Sequence, residues 1–162
     1  MQEEVLEKRR QILGAEHPDT LTSMDNLAST YQDQGRTGEA AALQEEALEK
    51  HRRILGVEHP DTLTSMYNLA FMYGDQGRTA EAVALLEELL EKHRWILGAE
   101  HPATLRSINN LALAYRAQGR TAEAAALLEE ALEKRRRILG AEHPDTLTSM
   151  DNLASTAQAG PA

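Results

Sequence analysis

One sequence recurs along the chain, and its first complete copy is HPDTLTSMDNLASTYQDQGRTGEAAALQEEALEKHRRILGVE at residues 17–58. It returns as HPDTLTSMYNLAFMYGDQGRTAEAVALLEELLEKHRWILGAE at 59–100, and a third copy fills 101–142. Each copy starts 42 residues after the one before it. A fixed period of roughly 20–50 residues is typical of solenoids, propellers and linear arrays, so we expect repeats rather than one globular core.

Composition narrows the class of protein. The 162 residues carry a formal net charge of −9, which argues against binding to nucleic acid or to anionic lipid. The absence of cysteine excludes disulfide and thiol chemistry and leaves the redox compartment open. No apolar run is long enough to span a bilayer, and the first residues show no signal-peptide pattern. We therefore expect a soluble, cytoplasmic protein with no membrane partner.

The first half of each copy predicts an α-helix. Its start is His17-Pro18-Asp19, because Pro fits the first helical turn and Asp places negative charge at the positive end of the helix dipole. Apolar residues then follow at helical spacing: Leu21, Met24, Leu27, Ala28 and Tyr31. Gly35 is expected to end the helix, and Thr37 to cap the next one.

The second half predicts another helix, acidic at Glu39 near its start and basic at Arg52 and Arg53 near its end, as the dipole favours. Its apolar stripe consists of Ala40, Leu43, Ala47, Leu48, His51, Ile54 and Leu55. Gly56 closes the helix. Each helix should have about 17–19 residues and a length of about 25–28 Å.

Small residues stand where neighbouring helices should approach closely, and with their neighbours they form a recognisable pattern. It resembles the tetratricopeptide repeat and consists of Leu27, Ala28, Tyr31, Gly35, Ala40 and Ala47. The usual unit of that family has about 34 residues. The longer unit here, with its His-Pro-Asp-Thr start, is similar to the kinesin-light-chain type. The resemblance implies an all-α, right-handed superhelical solenoid of antiparallel helix pairs, with about eight helices.

We predict a single repeat domain over residues 1–162, with a partial copy at each end. Its parts are a half repeat with only the second helix (1–16), full repeats (17–58, 59–100, 101–142), a half repeat with only the first helix (143–158) and a tail (159–162). Both ends look cut from a longer array, because neither has a polar capping element. The two halves together make one repeat, so copies could stack head to tail; the alternative is that the ends fray.

No sequence pattern indicates a catalytic, cofactor or metal site. His17, His59, His101 and His143 share one repeat position and would stand about 10 Å apart in stacked helices, too far to share an ion bound at about 2 Å. Residues 74–79 superficially resemble a phosphate-binding loop but lack its lysine and its preceding strand. We expect no enzyme, no metal and no cofactor.

In tetratricopeptide arrays the first helices of the repeats line a concave groove that holds extended peptides. By this resemblance the groove-facing residues are Thr22, Asp25, Asn26, Ser29 and Asp33; then Thr64, Tyr67, Asn68, Phe71 and Asp75; then Arg106, Asn109, Asn110, Leu113, Arg116 and Ala117; then Thr148, Asp151, Asn152 and Ser155. These positions vary between copies, whereas the core leucines at 27, 69, 111 and 153 do not. Such variation fits either a recognition surface or a tolerant exposed surface.

One polar position in this series does not vary. It holds Asn26, Asn68, Asn110 and Asn152. In the family an asparagine at the matching place often holds the backbone of a bound peptide, which suits an amide because it both donates and accepts. The alternative is that each asparagine bonds to a neighbouring helix.

Two aromatic residues break the polar character of the series. Tyr67 and Phe71 lie four residues apart on one helix face, and with Leu113 they could form an apolar anchor site flanked by Arg106 and Arg116. We expect such a groove to prefer a peptide with one large apolar residue and a nearby acidic group. The alternative is that both aromatic side chains pack as core. Trp95, which replaces an arginine of the other copies, is expected to be partly exposed and is assigned no role.

The leading prediction is a protein-interaction scaffold, part of a larger sensor or adaptor protein, that binds a partner segment in its groove. One alternative is an idealised or recently duplicated array with no dedicated partner. Another is an element that assembles with copies of itself through its half repeats.

Overall fold

A computed structural model describes residues 1–158, and in that range every regular element is an α-helix. The helices are α1 (Gln2–Leu13), α2 (Pro18–Asp33), α3 (Thr37–Ile54), α4 (Pro60–Asp75), α5 (Thr79–Leu97), α6 (Pro102–Ala117), α7 (Thr121–Leu139) and α8 (Pro144–Gln158). None of these eight helices combines the length and the apolar character that crossing a bilayer requires. The predicted tail, 159–162, lies outside the described residues.

The even-numbered helices, here called the first helices, begin with a histidine cap. His17 has extended backbone, and its ring Nδ1 accepts a hydrogen bond of 3.2 Å from the backbone N–H of Asp19. The same bond of 3.2 Å recurs at His59, His101 and His143. Pro18 follows the cap at a position where no N–H is needed. The four repeated histidines therefore satisfy helix ends that would otherwise leave N–H groups unpaired.

A tight turn joins each first helix to the following second helix, α3, α5 or α7. Gly35 has a φ of +74°, its N–H bonds to the carbonyl of Gln32, and the next N–H, of Arg36, bonds to the carbonyl of Tyr31. This pair of bonds is a Schellman motif, which favours glycine because other residues rarely adopt positive φ. The prediction that Thr37 caps α3 is wrong: Arg36 is the N-cap and Thr37 is the first helical residue.

The chain divides into two compact units, and the first is Met1–Leu85. In it α1 packs on α2, α2 on α3, and α3 on α4. One core cluster joins the first three of these helices and comprises Leu6, Leu21, Met24, Leu27 and Ala47, with Tyr31 and Leu43 packed against it. Ala28, Ala40 and Ala47 are fully buried, which confirms the predicted role of small residues.

The second compact unit starts at Leu86, and its described part ends at Gln158. Here α6 packs on α7, and α7 packs on α8. The buried positions repeat those of the first unit, since Leu105, Ile108, Leu111 and Ala112 of α6 stand where α2 has Leu21, Met24, Leu27 and Ala28.

A buried threonine fastens the connector before a first helix to that helix. Thr20 Oγ1 donates to the carbonyl of Gly14 at 2.8 Å, Thr62 to Gly56 at 2.8 Å, and Thr104 to Gly98 at 2.7 Å. Each threonine is fully buried. The bond satisfies a carbonyl at a helix end and fixes the chain direction between repeats.

Replacing Ala82 with Asp tests the packing of the second helices. Ala82 is buried in α5, so we expect the variant to lose about 3 kcal/mol or more of unfolding free energy, because its carboxylate would be buried without a partner. Urea denaturation followed by circular dichroism measures the change. Ala80→Asp is the matched control, since Ala80 is exposed on the same helix and should change stability by less than about 0.5 kcal/mol. Equal midpoints for the two variants would contradict the packing.

Candidate functional site

The face expected to bind a partner is carried by the first helices, and most of its predicted residues are exposed. Thr22, Asn26, Ser29 and Asp33 are exposed on α2, and Thr64, Tyr67, Phe71 and Asp75 on α4. In the second unit the exposed members are Arg106, Leu113 and Ala117 on α6 and Thr148, Asp151 and Ser155 on α8. We call these residues, with the asparagines described next, the first-helix face.

The four repeated asparagines have side-chain amides that the fold does not use. Asn26 is exposed, and Asn68, Asn110 and Asn152 are half-buried. Within residues 1–158, none of these four amides makes a hydrogen bond to another group of the chain. Each amide can therefore still donate and accept, which is what a peptide backbone requires of its partner.

Two aromatic side chains on α4 are exposed rather than packed in the core. The exposed fraction is 41% for Tyr67 and 57% for Phe71. Exposed side chains of this size, four residues apart on one helix, offer an apolar contact surface. Trp95 on α5 is even more exposed, at 82%, but it belongs to a second helix.

The candidate residues of α6 differ in their surroundings. Arg106 and Leu113 are exposed, and Arg116 is half-buried. Asn109 is half-buried against Arg135 of α7: with its amide oxygen turned toward the guanidinium, it accepts from Nη1 at 2.8 Å and from Nη2 at 3.2 Å. Asn109 is thus engaged within the unit, unlike the four repeated asparagines.

Asp25, expected on the first-helix face, instead turns toward α3. Its carboxylate accepts a hydrogen bond of 2.7 Å from Gln44 Nε2 and lies 3.7 Å from His51 Nε2. Gln44 also donates to Ser65 at 2.7 Å. Burial raises the pKa of the Asp25 carboxyl, while Gln44 and His51 act in the opposite direction. This polar cluster joins α2, α3 and α4 of the first unit.

A second polar cluster was not predicted. It joins three helices at each connection between a first helix and the following second helix. Arg36 stacks on the Tyr31 ring at 3.8 Å, bonds to both oxygens of Glu39, and reaches Glu3 of α1 at 3.3 Å. The Tyr31 hydroxyl donates to the same Glu3 at 2.7 Å. We call this arrangement the tyrosine–arginine cluster; it recurs in Tyr73, Arg78, Glu81 and Glu45 and in Tyr115, Arg120, Glu123 and Glu87.

The signal for this cluster was present in the sequence, because its residues recur with the same period as the core.

The contacts of the tyrosine–arginine cluster shift the pKa values of its tyrosine and glutamate in the directions that physical chemistry predicts. Burial, reinforced by the hydrogen bond to Glu45, raises the pKa of Tyr73 to about 12. The hydrogen bond from Arg78 lowers the pKa of Glu81. At neutral pH the tyrosine therefore stays protonated and the glutamate stays ionised, so the charge-assisted bonds of the cluster persist.

Clefts between successive second helices are a further surface that sequence analysis missed. One of about 500 Å³ lies among α1, α2 and α3, with Leu6, Leu43 and Tyr31 in its floor and acidic residues at its edge. Corresponding clefts of about 390 and 280 Å³ contain Tyr73 and Tyr115. All three lie over a tyrosine–arginine cluster.

The chemistry available on the first-helix face is hydrogen bonding, apolar contact and charge. Among residues 1–158, no three His, Asp or Glu side chains are grouped so as to hold a metal ion. His93, half-buried, has its Nδ1 at 2.7 Å from Ser107 Oγ and so takes part in packing. The exposed groups suit recognition of another chain more than they suit bond making.

Comparison with known proteins finds relatives for both the sequence and the fold. Two tetratricopeptide-repeat family models match, one at residues 1–52 and 25–94 and the other at 104–145. Among solved structures, the nearly identical TPR-like repeats of a Podosopora anserina protein assigned as a kinesin light chain have a TM-score of 0.91 at 38% identity, covering 98% of this chain and 75% of that one.

Two further structures are similar. A variant of the same Podosopora anserina repeats has a TM-score of 0.91 at 37% identity, over 98% of this chain and 74% of that one. BtubC (BKLC) from P. vanneervenii has a TM-score of 0.83 at 25% identity, over 98% of this chain and 63% of that one. The comparison with curated proteins gave no match.

Replacing Tyr73 with Phe tests the tyrosine–arginine cluster. The variant keeps the ring under Arg78 but loses the 2.8 Å bond to Glu45, so we expect it to lose about 1 kcal/mol of unfolding free energy at pH 7. Since the folded-state pKa of about 12 exceeds the unfolded value of about 10, the phenol contributes stability below pH 10 and loses it as pH rises toward 12.

Urea midpoints measured from pH 8 to 11.5 should therefore fall more steeply for the wild type than for Tyr73→Phe. Tyr67→Phe serves as the control, because Tyr67 is exposed and its hydroxyl makes no bond within the described chain. Parallel pH profiles for the wild type and Tyr73→Phe would show that the hydroxyl does not stabilise the fold.

Proposed function

The chain belongs to the tetratricopeptide repeat family, and on that premise we propose that it binds an extended segment of a partner protein along its first-helix face. Repeats of this kinesin-light-chain-like type form non-catalytic interaction scaffolds. The proposal extends to a role as the recognition part of a larger sensor or adaptor acting in the cytoplasm, which fractionation of cells expressing the protein would test.

The observation that carries the proposal is the unused amide of each repeated asparagine. This polar residue is identical in four repeats, yet its amide makes no hydrogen bond inside the described chain. A peptide backbone presents donors and acceptors that such amides can satisfy whatever the peptide sequence. The asparagines would supply affinity that is independent of sequence.

The residues around the asparagines would supply selectivity. In the first unit, Tyr67 and Phe71 offer an apolar surface to one large side chain of the partner. In the second unit, Arg106 and Arg116 offer positive charge to an acidic group. The preferred partner segment therefore combines a large apolar residue with an acidic one.

A second candidate function is association of the chain with copies of itself, and the exposure of apolar residues on α1 and α8 favours it. Leu147 of α8 is 46% exposed, although Leu21 and Leu105 at the same repeat position are buried. Val5 of α1 is 42% exposed, although Ala47 and Ala131 at its position are fully buried. Among residues 1–158, α8 is a first helix and α1 is a second helix, so the two are complementary by repeat symmetry.

Binding of a peptide selected from a random library against the wild-type chain tests the first proposal. We expect Asn68→Ala and Phe71→Ala each to weaken binding about tenfold, because one removes an amide contact and the other an apolar anchor. Fluorescence anisotropy with the labelled peptide measures the dissociation constants.

The matched control is Trp95→Ala, which removes a larger exposed aromatic side chain from a second helix and should leave affinity unchanged. Equal affinity of wild type, Asn68→Ala and Phe71→Ala would contradict binding at the first-helix face. Failure to select any peptide would favour an array without a dedicated partner.

Sedimentation velocity over about a hundredfold range of protein concentration tests the second candidate. We expect the mean mass to rise with concentration, since association through exposed helix faces follows mass action. A monomer mass at every concentration would exclude self-association.

A further inference from the structure

Inside the first unit, a polar contact marks the joint between the first and second helix of one repeat. Asp25 of α2 accepts from Gln44 of α3 at 2.7 Å and lies 3.7 Å from His51 of the same helix. Asp25 is partly exposed, whereas Gln44 and His51 are buried. An acidic residue on the first helix is thus matched by an amide and a histidine on the second.

In the second unit an arginine occupies the position that His51 holds in the first. Arg135 of α7 is buried, and its guanidinium donates to Ser149 of α8 on one side and to Asn109 of α6 on the other. Burial lowers the pKa of Arg135, and Asp145 opposes this effect. Both hydrogen-bond acceptors, Ser149 and Asn109, are neutral. This joint therefore has a cation, Arg135, but no carboxylate that bonds to it.

Helices α1 and α8 together carry both a cation and a carboxylate at these two positions. Asp151 of α8 stands at the position of Asp25, and Arg9 and Gln2 of α1 stand at the positions of His51 and Gln44. Arg9 donates from one nitrogen, Nη1, to the Asp19 carbonyl at 2.9 Å and to Ser23 at 2.6 Å. Arg135 meets Asn109, at the position of Asp151, through Nη1 at 2.8 Å and Nη2 at 3.2 Å. Nη2 of Arg9 makes no hydrogen bond within the described residues, and Asp151 is exposed.

A second set of ion pairs connects successive second helices. Arg10 of α1 bonds to Glu46 of α3 at 3.2 Å, and Arg94 of α5 to Glu130 of α7 at 2.7 Å. Each glutamate also pairs with the lysine four residues later in its own helix, as Glu4 does with Lys8 at 2.7 Å. Arg136 of α7 holds the same repeat position as Arg10 and Arg94, and Glu4 of α1 holds the same position as Glu46 and Glu130.

Resting on the second candidate function, we propose that α1 of one copy docks on the α7–α8 end of another and that two ion pairs direct this contact. Asp151 meets Arg9 and Gln2, and Arg136 meets Glu4. The docked α1 takes the place that α3 takes beside α2. The apolar part of the contact comes from Val5 on one copy and from Leu147 and Met150 on the other, all more than a third exposed.

The contact lacks one tyrosine–arginine cluster, because Ala157 stands at the position of Tyr31. The junction is therefore weaker than a joint within the chain, and it forms reversibly with concentration.

A charge-exchange cycle tests the proposal on the full chain. Arg9→Glu places like charges opposite Asp151, and Asp151→Lys places them opposite Arg9, so each single variant should weaken association at least about tenfold. The double variant restores an opposite pair and should regain most of the wild-type association. Sedimentation velocity in about 0.15 M salt, where charges separated by less than roughly 8 Å still interact, gives the constants.

The controls carry the same changes in charge at exposed positions away from the junction. Asp33→Lys matches Asp151→Lys, and Arg106→Glu matches Arg9→Glu. Both should associate like the wild type. If loss of the Ser23 contact unfolds α1 in Arg9→Glu, as circular dichroism would show, Asp151→Lys alone decides, because the Asp151 side chain makes no hydrogen bond or ion pair in the described chain.

The outcomes separate the two levels of the proposal. A wild type that stays monomeric overturns both self-association and the ion pairs. A wild type that associates while Asp151→Lys associates equally well overturns the Asp151–Arg9 pair alone. Single variants that fail without rescue by the double variant also overturn this pair, because a specific pair must be restored when its charges are exchanged.

Discussion

The stacking of an arginine on a tyrosine is the contact on which the succession of helices depends. Arg36 lies on the Tyr31 ring after the tight turn, bonds to Glu39 at the start of α3, and shares Glu3 of the preceding second helix with the tyrosine hydroxyl. One guanidinium thus contacts groups of three helices, because its planar fork of donors can satisfy two carboxylates at once. The apolar core supplies the burial, but apolar contacts have no preferred direction. The hydrogen bonds of this cluster do have one, so they favour a single arrangement of the groups that they join.

The sequence was sufficient for the fold and only partly sufficient for the contacts. The tetratricopeptide resemblance and the all-α repeat fold are confirmed, because a 42-residue period with helical spacing repeats the same information in every copy. Asp25 was misplaced, since the pattern of α2 alone does not show Gln44 on the facing helix. The tyrosine–arginine cluster was missed because its partners lie 28 and 33 residues apart in the chain. The candidate binding residues remain predictions, since a pattern of exposed side chains does not name what covers them.

The repeats also show which positions the fold constrains and which it releases. Positions in the tyrosine–arginine cluster, the histidine cap and the buried threonine are the same in each complete repeat. The position of Asp25 instead holds Tyr67, Asn109 and Asp151, and its partner position holds His51, His93 and Arg135. Asp25 lies 3.7 Å from His51 in the first unit, and Asn109 lies 2.8 Å from Arg135 in the second. A substitution at this position therefore changes the contact between a first helix and its second helix.

In every tyrosine–arginine cluster the bonded residues are separated by the same number of residues, and this has an evolutionary consequence. Each tyrosine bonds to a glutamate 28 residues earlier and each arginine to one 3 residues later, so removing or adding 42 residues leaves every remaining tyrosine–arginine cluster with equivalent partners. In this protein a gain or loss of one whole repeat would change the number of repeated asparagines without breaking such a cluster. Length is thus a trait that selection can adjust separately from the fold.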